Sequence, residues 1–254
     1  MVRRDWTREE LVLAFNLYCK TPFGKIHIHN PNIIELAKLI GRTPSAVSWK
    51  LANFARLDPV LKERNIVGAT HGGRAEIQVW GEFHDNWEEL SFESEQLLAK
   101  MKHISLQQSA GIWTDEGFGE GEESEQIVRV RVKQYFFRQT VLASYRYRCC
   151  ITGLAIPELL NASHIIPWAA DPKNRLNPRN GLCLNSLHDR AFDRGLLTIT
   201  PDYRVKVSTR LKAFSDEASS ILLLRYENVR VNLPDRFIPD VNFLAFHNEN
   251  VFLK

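Results

Sequence analysis

The chain has 254 residues, 44% hydrophobic and 25% charged, with a formal net charge of +3. That length allows one or two domains with a real core, and no apolar run reaches the roughly 18 residues of a membrane span. The start, MVRRDWTREE, lacks the apolar stretch of a secretory signal, and four cysteines without a CxxC pair fit a reduced, cytoplasmic setting.

Charge is unevenly spread. Residues 1–60 carry nine Lys or Arg against five Asp or Glu, residues 61–125 five against fourteen, and residues 126–254 nineteen against eleven. Two basic segments around an acidic middle favour a polyanionic partner through phosphate contacts. Asymmetry of this size is also common on solvated surfaces.

The first expected helix covers residues 6–20, with Thr7 as N-cap and Glu10 completing a capping box. Leu11, Leu13, Ala14, Phe15, Leu17 and Tyr18 supply its apolar stripe, and Thr21-Pro22-Phe23-Gly24 stops it. After a loop with His27 and His29, residues 31–41 read as a helix ended by Gly41. Thr43-Pro44 then starts a third helix over 44–55, with Val47, Leu51 and Phe54 inward. Two short helices around a glycine turn, LAKLIGRTPSAVSWKLANF, resemble a helix-turn-helix. On that reading the second helix contacts DNA through Ser45, Ser48, Trp49, Lys50 and Asn53, all expected to be exposed. An ordinary helical hairpin is the plainer alternative.

Residues 61–73 read as a loop. A helical stretch with Trp80, Phe83, Trp87, Leu90 and Leu97 follows, expected to break near Ser91. Residues 104–125 read as a linker, because four glycines and six acidic residues fall between Gly111 and Glu125. The expected organisation is a helical DNA-binding domain over 1–103, the linker over 104–125 and a second domain over 126–254. The second domain opens with Ile127-Val128-Arg129-Val130-Arg131-Val132, followed by a helix from about Gln134 to Tyr145.

Chemistry concentrates between residues 164 and 188. Only eight histidines occur in the chain, and two of them bracket this stretch. His164 sits in SHIIPW, Asn180 in RNG, and His188 in LHDRAFD at the expected start of a short helix. Hydrolysing a phosphodiester at neutral pH needs a base for water and a cation for phosphate and leaving-group charge. Histidine suits the base because its ordinary pKa lies near neutrality.

The order and spacing of these residues resemble the HNH endonucleases, the ββα-metal fold, over about residues 125–254. An FR helix, a C-x-TG turn, SHI-x-PW and NGL…HD-x-AFD-x-G are similar to a subgroup without the four-cysteine zinc site, so no structural zinc is expected. The resemblance implies an α+β chain: a helical helix-turn-helix-like domain followed by a ββα-metal nuclease domain. It makes His164 the general base, Asn180 the brace of the loop and His188 a metal ligand, with Leu187 and Phe192 pinning the helix to the hairpin. Many relatives carry an acidic residue where Ser163 stands. The remaining ligand is therefore open among Ser163, Asp189, Asn185 and Asp193. Arg179 and Arg190 are candidate DNA contacts, with Arg194 beside them.

The resemblance also implies one divalent ion per site, Mg²⁺ or Mn²⁺, and double-stranded DNA as substrate. Two sites in a homodimer are the simplest way to cut both strands. Restriction or phage defence is the expected role. The alternatives are a DNA-binding regulator with a degenerate nuclease fold, and a nonspecific nuclease acting on DNA or RNA. After the site, Leu196–Val207 reads as a hairpin, 208–214 as a helical turn, Tyr226–Asn232 as a strand and Pro239–Phe252 as a helix.

Overall fold

Thr7 opens the first helix, α1 (Arg8–Lys20). In the computed structural model, which describes residues 4–63, 73–109, 122–214 and 216–254, the Thr7 hydroxyl accepts from the Glu10 amide. The Glu10 carboxylate accepts from the Thr7 amide at 3.0 Å, which completes the capping box. Asn30 caps α2 (Pro31–Leu39) by accepting from the Asn32 amide at 2.9 Å. Gly41, at φ +65°, ends α2. The Gly41 amide donates to the Lys38 carbonyl and the Arg42 amide to that of Ala37, the paired bonds of a Schellman stop. Thr43 then caps α3 (Pro44–Leu57), with Pro44 where its missing N–H costs nothing.

The chain continues through α4 (Pro59–Glu63), α5 (Arg74–Phe83), α6 (Trp87–Lys102), α7 (Leu106–Ser109) and α8 (Glu122–Ser144). Phe15 is the hub of the first core: its ring centroid lies 4.9 Å from that of Phe54 and 5.2 Å from that of Trp80. Burial of each such ring contributes roughly 1.5–3 kcal/mol. Polar residues are buried in matched sets. Glu10 takes Arg4 and Arg42, the latter at 2.7 Å, and so ties the cap of α1 to the turn between α2 and α3.

The first core departs from the sequence reading in three places. The break between α5 and α6 falls at residues 84–86, and Ser91 is buried inside α6, donating to the Glu88 carbonyl at 2.8 Å. Residues 127–132 are part of α8. The helix thus starts before the expected Gln134, and of these residues Val128 and Val132, four apart on one helix face, are buried and packed with Leu106. Asn53 is not exposed: it is 2% accessible and donates to Glu76 Oε1 at 2.8 Å. Lys50 is also bound to Glu76. Burial alone would raise the Glu76 pKa, but the hydrogen bonds from Lys50 and Asn53 outweigh it and hold the carboxyl below its usual range.

Two compact units result, Met1–Thr140 and Val141–Lys254. The division falls within α8, past the 104–125 stretch read as a linker, whose residues 110–121 lie outside the described ones. Most of the loop expected at 61–73, namely 64–72, also lies outside them.

The second unit holds an antiparallel hairpin of β1 (Leu160–His164) and β2 (Gly181–Asn185), with Leu160 opposite Asn185 and His164 opposite Gly181. Helix α9 (Ser186–Asp193) packs across both strands. A second hairpin, β3 (Leu197–Ile199) with β4 (Val205–Val207), is followed by α10 (Thr209–Lys212), α11 (Glu217–Leu222) and α12 (Val241–Asn250). The strand expected at Tyr226–Asn232 is absent: residues Leu224–Tyr226 form a 3-10 turn, and a single bridge joins Arg230 to Arg204. The fold is α+β, and among the described residues both sheets lie in the second unit. No described helix is long and apolar enough to cross a membrane.

Candidate active site

The site is assembled by the first hairpin, the loop that joins its strands and helix α9. The loop is stiff because polar side chains recur every third residue. Asp171 accepts from the Lys173 and Asn174 amides and from Asn174 Nδ2, the last at 2.7 Å. Asn177 donates to Asn174 Oδ1 at 3.0 Å, and Asn180 Nδ2 donates to the Asn174 carbonyl at 3.2 Å. Chiefly through the Asn174 hydrogen bond, the Asp171 carboxyl is held below its usual pKa.

Asn180 ends this ladder and is buried. Its Oδ1 accepts from the Ile166 amide at 2.8 Å, and its Nδ2 reaches the Ile166 carbonyl at 3.3 Å. The Asn180 carbonyl accepts from the Ile165 amide. The loop is thereby sewn to the segment just after His164. Polar groups buried this way cost about 1–3 kcal/mol each if left unpaired.

His164 closes β1. Its Nε2 lies 2.8 Å from the Arg175 carbonyl, and its ring meets Trp168 edge-on at a centroid distance of 5.4 Å. A carbonyl cannot donate, so Nε2 carries the proton and Nδ1 is the basic nitrogen of the neutral ring. Burial lowers the His164 pKa and the Arg175 carbonyl raises it; burial wins, so the ring is neutral at pH 7.

Three residues upstream of His164 and one before it, the other face of β1 meets α9. Asn161 Nδ2 donates to Asp189 Oδ2 at 2.8 Å, and the Ser163 hydroxyl donates to Asp189 Oδ1. Asn161 was not singled out in the sequence; strand alternation from Ser163 is the signal that finds it. Asp193 lies one turn beyond Asp189. Its carboxyl is pushed up by desolvation first and by the Asp189 charge second, against the pull of Arg190 and Arg194.

His188 is buried on another side of α9. Asn185, the N-cap, accepts from both the His188 amide at 2.9 Å and its ring Nδ1 at 3.0 Å. That bond leaves the lone pair on Nε2, which is buried without a hydrogen-bond partner, while Tyr226 packs edge-on against the ring at 5.1 Å. Burial lowers the His188 pKa to about 4. Leu187 does not pin the helix: it is 44% exposed, and Ala191 and Phe192 take that place.

Residues 149–200 of the chain match the model of the HNH endonuclease family. This segment is an HNH endonuclease domain. No curated protein matches the chain. The matched segment of the HNH domain holds His164, Asn180, His188 and Asp189, and it ends with β3.

The remaining predicted contacts are dispersed. Arg179 is bound to Asp240 at 3.0 Å and to the Ile238 carbonyl at 3.3 Å. Arg190 is exposed on α9. In the first unit Ser45 is exposed, Ser48 half-buried, and Trp49 60% exposed.

Among the described residues, no three His, Cys, Asp or Glu side chains cluster to hold a metal. Two donor types nonetheless lie on α9: the Asp189 carboxylate, with Asp193 repelled beside it, and the His188 Nε2, unpaired but buried on another side of the helix. A hard cation such as Mg²⁺ needs only one or two carboxylates, because it keeps several waters and takes substrate phosphate oxygens as further ligands. Asp189 fits that habit, and a cation beside it would relieve the repulsion on Asp193.

Proposed function

We propose that this protein is a metal-dependent DNA endonuclease in which His164 is the general base. The observation that carries this reading is the fixed tautomer of His164. Its Nε2–H is committed to the Arg175 carbonyl, so the basic lone pair lies on Nδ1, the nitrogen that takes the proton from water in this reading. Asn180 keeps the loop that presents Arg175 in register with β1. Asp189 is proposed as the principal metal ligand, oriented by Asn161 and Ser163. His188 is a further donor or, through Asn185, an organiser of the first turn of α9. Ser163 serves here as a donor to Asp189 and not as a ligand. When bound, the cation neutralises charge on the phosphate and on the leaving 3′ oxygen. The products are then 5′-phosphate and 3′-hydroxyl ends.

The α2–turn–α3 pair is proposed to grip DNA through Ser45, Ser48 and Trp49. Lys50 and Asn53 are withdrawn from that role because Glu76 engages both. Two copies cutting opposite strands, in a cytoplasmic restriction or defence enzyme, complete the proposal. All four cysteines are buried and none is joined in a disulfide, which suits a reducing compartment.

The test is cleavage of methylated and unmethylated plasmid with Mg²⁺, Mn²⁺ or EDTA, with His164→Ala alongside. Discrete bands that require the metal and vanish in the variant are expected. Intact plasmid in every lane, from folded protein that still shifts DNA, would replace the proposal with a DNA-binding regulator. A smear would replace sequence selection with nonspecific cutting.

A further inference from the structure

We propose that Arg175 grips the scissile phosphodiester beside His164, a role that rests on the nuclease reading above. Arg175 follows the 3-10 turn Pro172–Asn174 and is half-buried. Its Nε donates to the Trp168 carbonyl at 2.7 Å, and its guanidinium carbon lies 5.2 Å from the centroid of the Trp168 ring. The His164 ring contacts the same indole. Base and guanidinium are thus held against one aromatic side chain.

Only one nitrogen of the fork is used. Neither Nη1 nor Nη2 of Arg175 makes a hydrogen bond or ion pair among the described residues. Arg179, four residues on, is instead paired with Asp240. A guanidinium with its plane set and two NH₂ groups unspent matches two oxygens of a phosphodiester. The Asp171–Asn180 ladder holds the loop before substrate arrives, so little ordering entropy is lost on binding. Asp171, the carboxylate nearest in sequence, is occupied by Asn174 and the Lys173 amide and does not compete. One residue thereby serves twice: its main chain sets the tautomer of the base and its side chain places the phosphate.

Substitution removes the guanidinium and leaves the carbonyl, so the two roles separate. Arg175→Ala and Arg175→Met are compared with wild type in the full chain; Met keeps an apolar stem on Trp168 should the alanine variant fold poorly. In EDTA, anisotropy with a short DNA duplex is expected to show an affinity loss of about tenfold. The slope of log affinity against log salt should shrink by about one. With Mg²⁺, kcat/KM should fall on the order of a hundredfold, while the ¹⁵N spectrum of the His164 imidazole keeps its Nε2–H pattern.

Unchanged affinity and rate in a folded variant would overturn the proposal. So would unchanged affinity with an altered His164 tautomer, since Arg175 would then act only through the base. Wild type that binds DNA without cutting it would remove the nuclease reading, and the affinity comparison would still decide the clamp. Wild type that binds no DNA would overturn both.

Discussion

Gly195 shows how a single residue couples the nuclease helix to the chain terminus. It sits at φ +67°, and a Cβ there would lie 2.2 Å from the Val251 carbonyl oxygen. Its own carbonyl accepts from the Leu253 amide at 2.9 Å. Gly195→Ala should therefore destabilise the protein by about 2–4 kcal/mol, from the left-handed backbone and the clash together, read from the midpoint of urea unfolding. Asn180→Asp should cost about 1–3 kcal/mol, because the Ile166 and Asn174 carbonyls lose their donor. The same unfolding assay applies, and a change under 0.5 kcal/mol would remove Asn180 from its bracing role. The resemblance to HNH endonucleases singled out His164, Asn180 and the motif that ends in Gly195. It could not find Arg175, because a loop arginine is usually solvated and only the structure puts its carbonyl on the base.

At the scale of elements, caps and stops were legible because they are local chemistry. Thr7 with Glu10, Gly41 and Thr43-Pro44 lie within a few residues of the bonds they make. The second duty of Glu10 was not legible, since Arg42 is 32 residues away. Removing a partner from a buried ion pair strands the remaining charge. Glu10→Ala should cost about 3 kcal/mol, more than the roughly 1 kcal/mol of a lost cap alone. Thermal denaturation of Glu10→Ala beside Thr7→Ala separates the two, and equal losses would refute the ion-pair contribution. The same distance effect misled the reading of α3. Lys50 and Asn53 look like surface residues until Glu76, on α5, is brought against them. The helix expected from about Gln134 starts earlier, because residues 127–132 already belong to α8.

At the scale of the whole chain, stability should depend on acid in a way set by buried imidazoles. His247 is buried, its ring stacked on Phe192 at 3.7 Å and its Nδ1 2.7 Å from Thr198 Oγ1. Burial, partly offset by the Phe192 carbonyl, lowers its pKa from 6.5 to about 4. In the unfolded chain the ring charges near pH 6.5. The contribution is therefore full above that pH and is lost progressively as pH falls toward 4. The melting temperature should drop over this window, and His247→Gln should make the drop shallower; an identical slope would show that His247 does not titrate on unfolding. What the sequence by itself determined was the set of local signals: helix caps, the glycine stop, the SHIIPW, RNG and LHDRAFD segments, and with them an α+β chain carrying an HNH domain. These depend on bonds between near neighbours and on residue types that one chemistry requires. Tertiary structure alone decided which polar residues are spent on each other. It paired Asp189 with Ser163 and Asn161, Arg179 with Asp240, and Lys50 with Glu76, because charge pairing is settled by distance in space, which spacing along a chain does not encode.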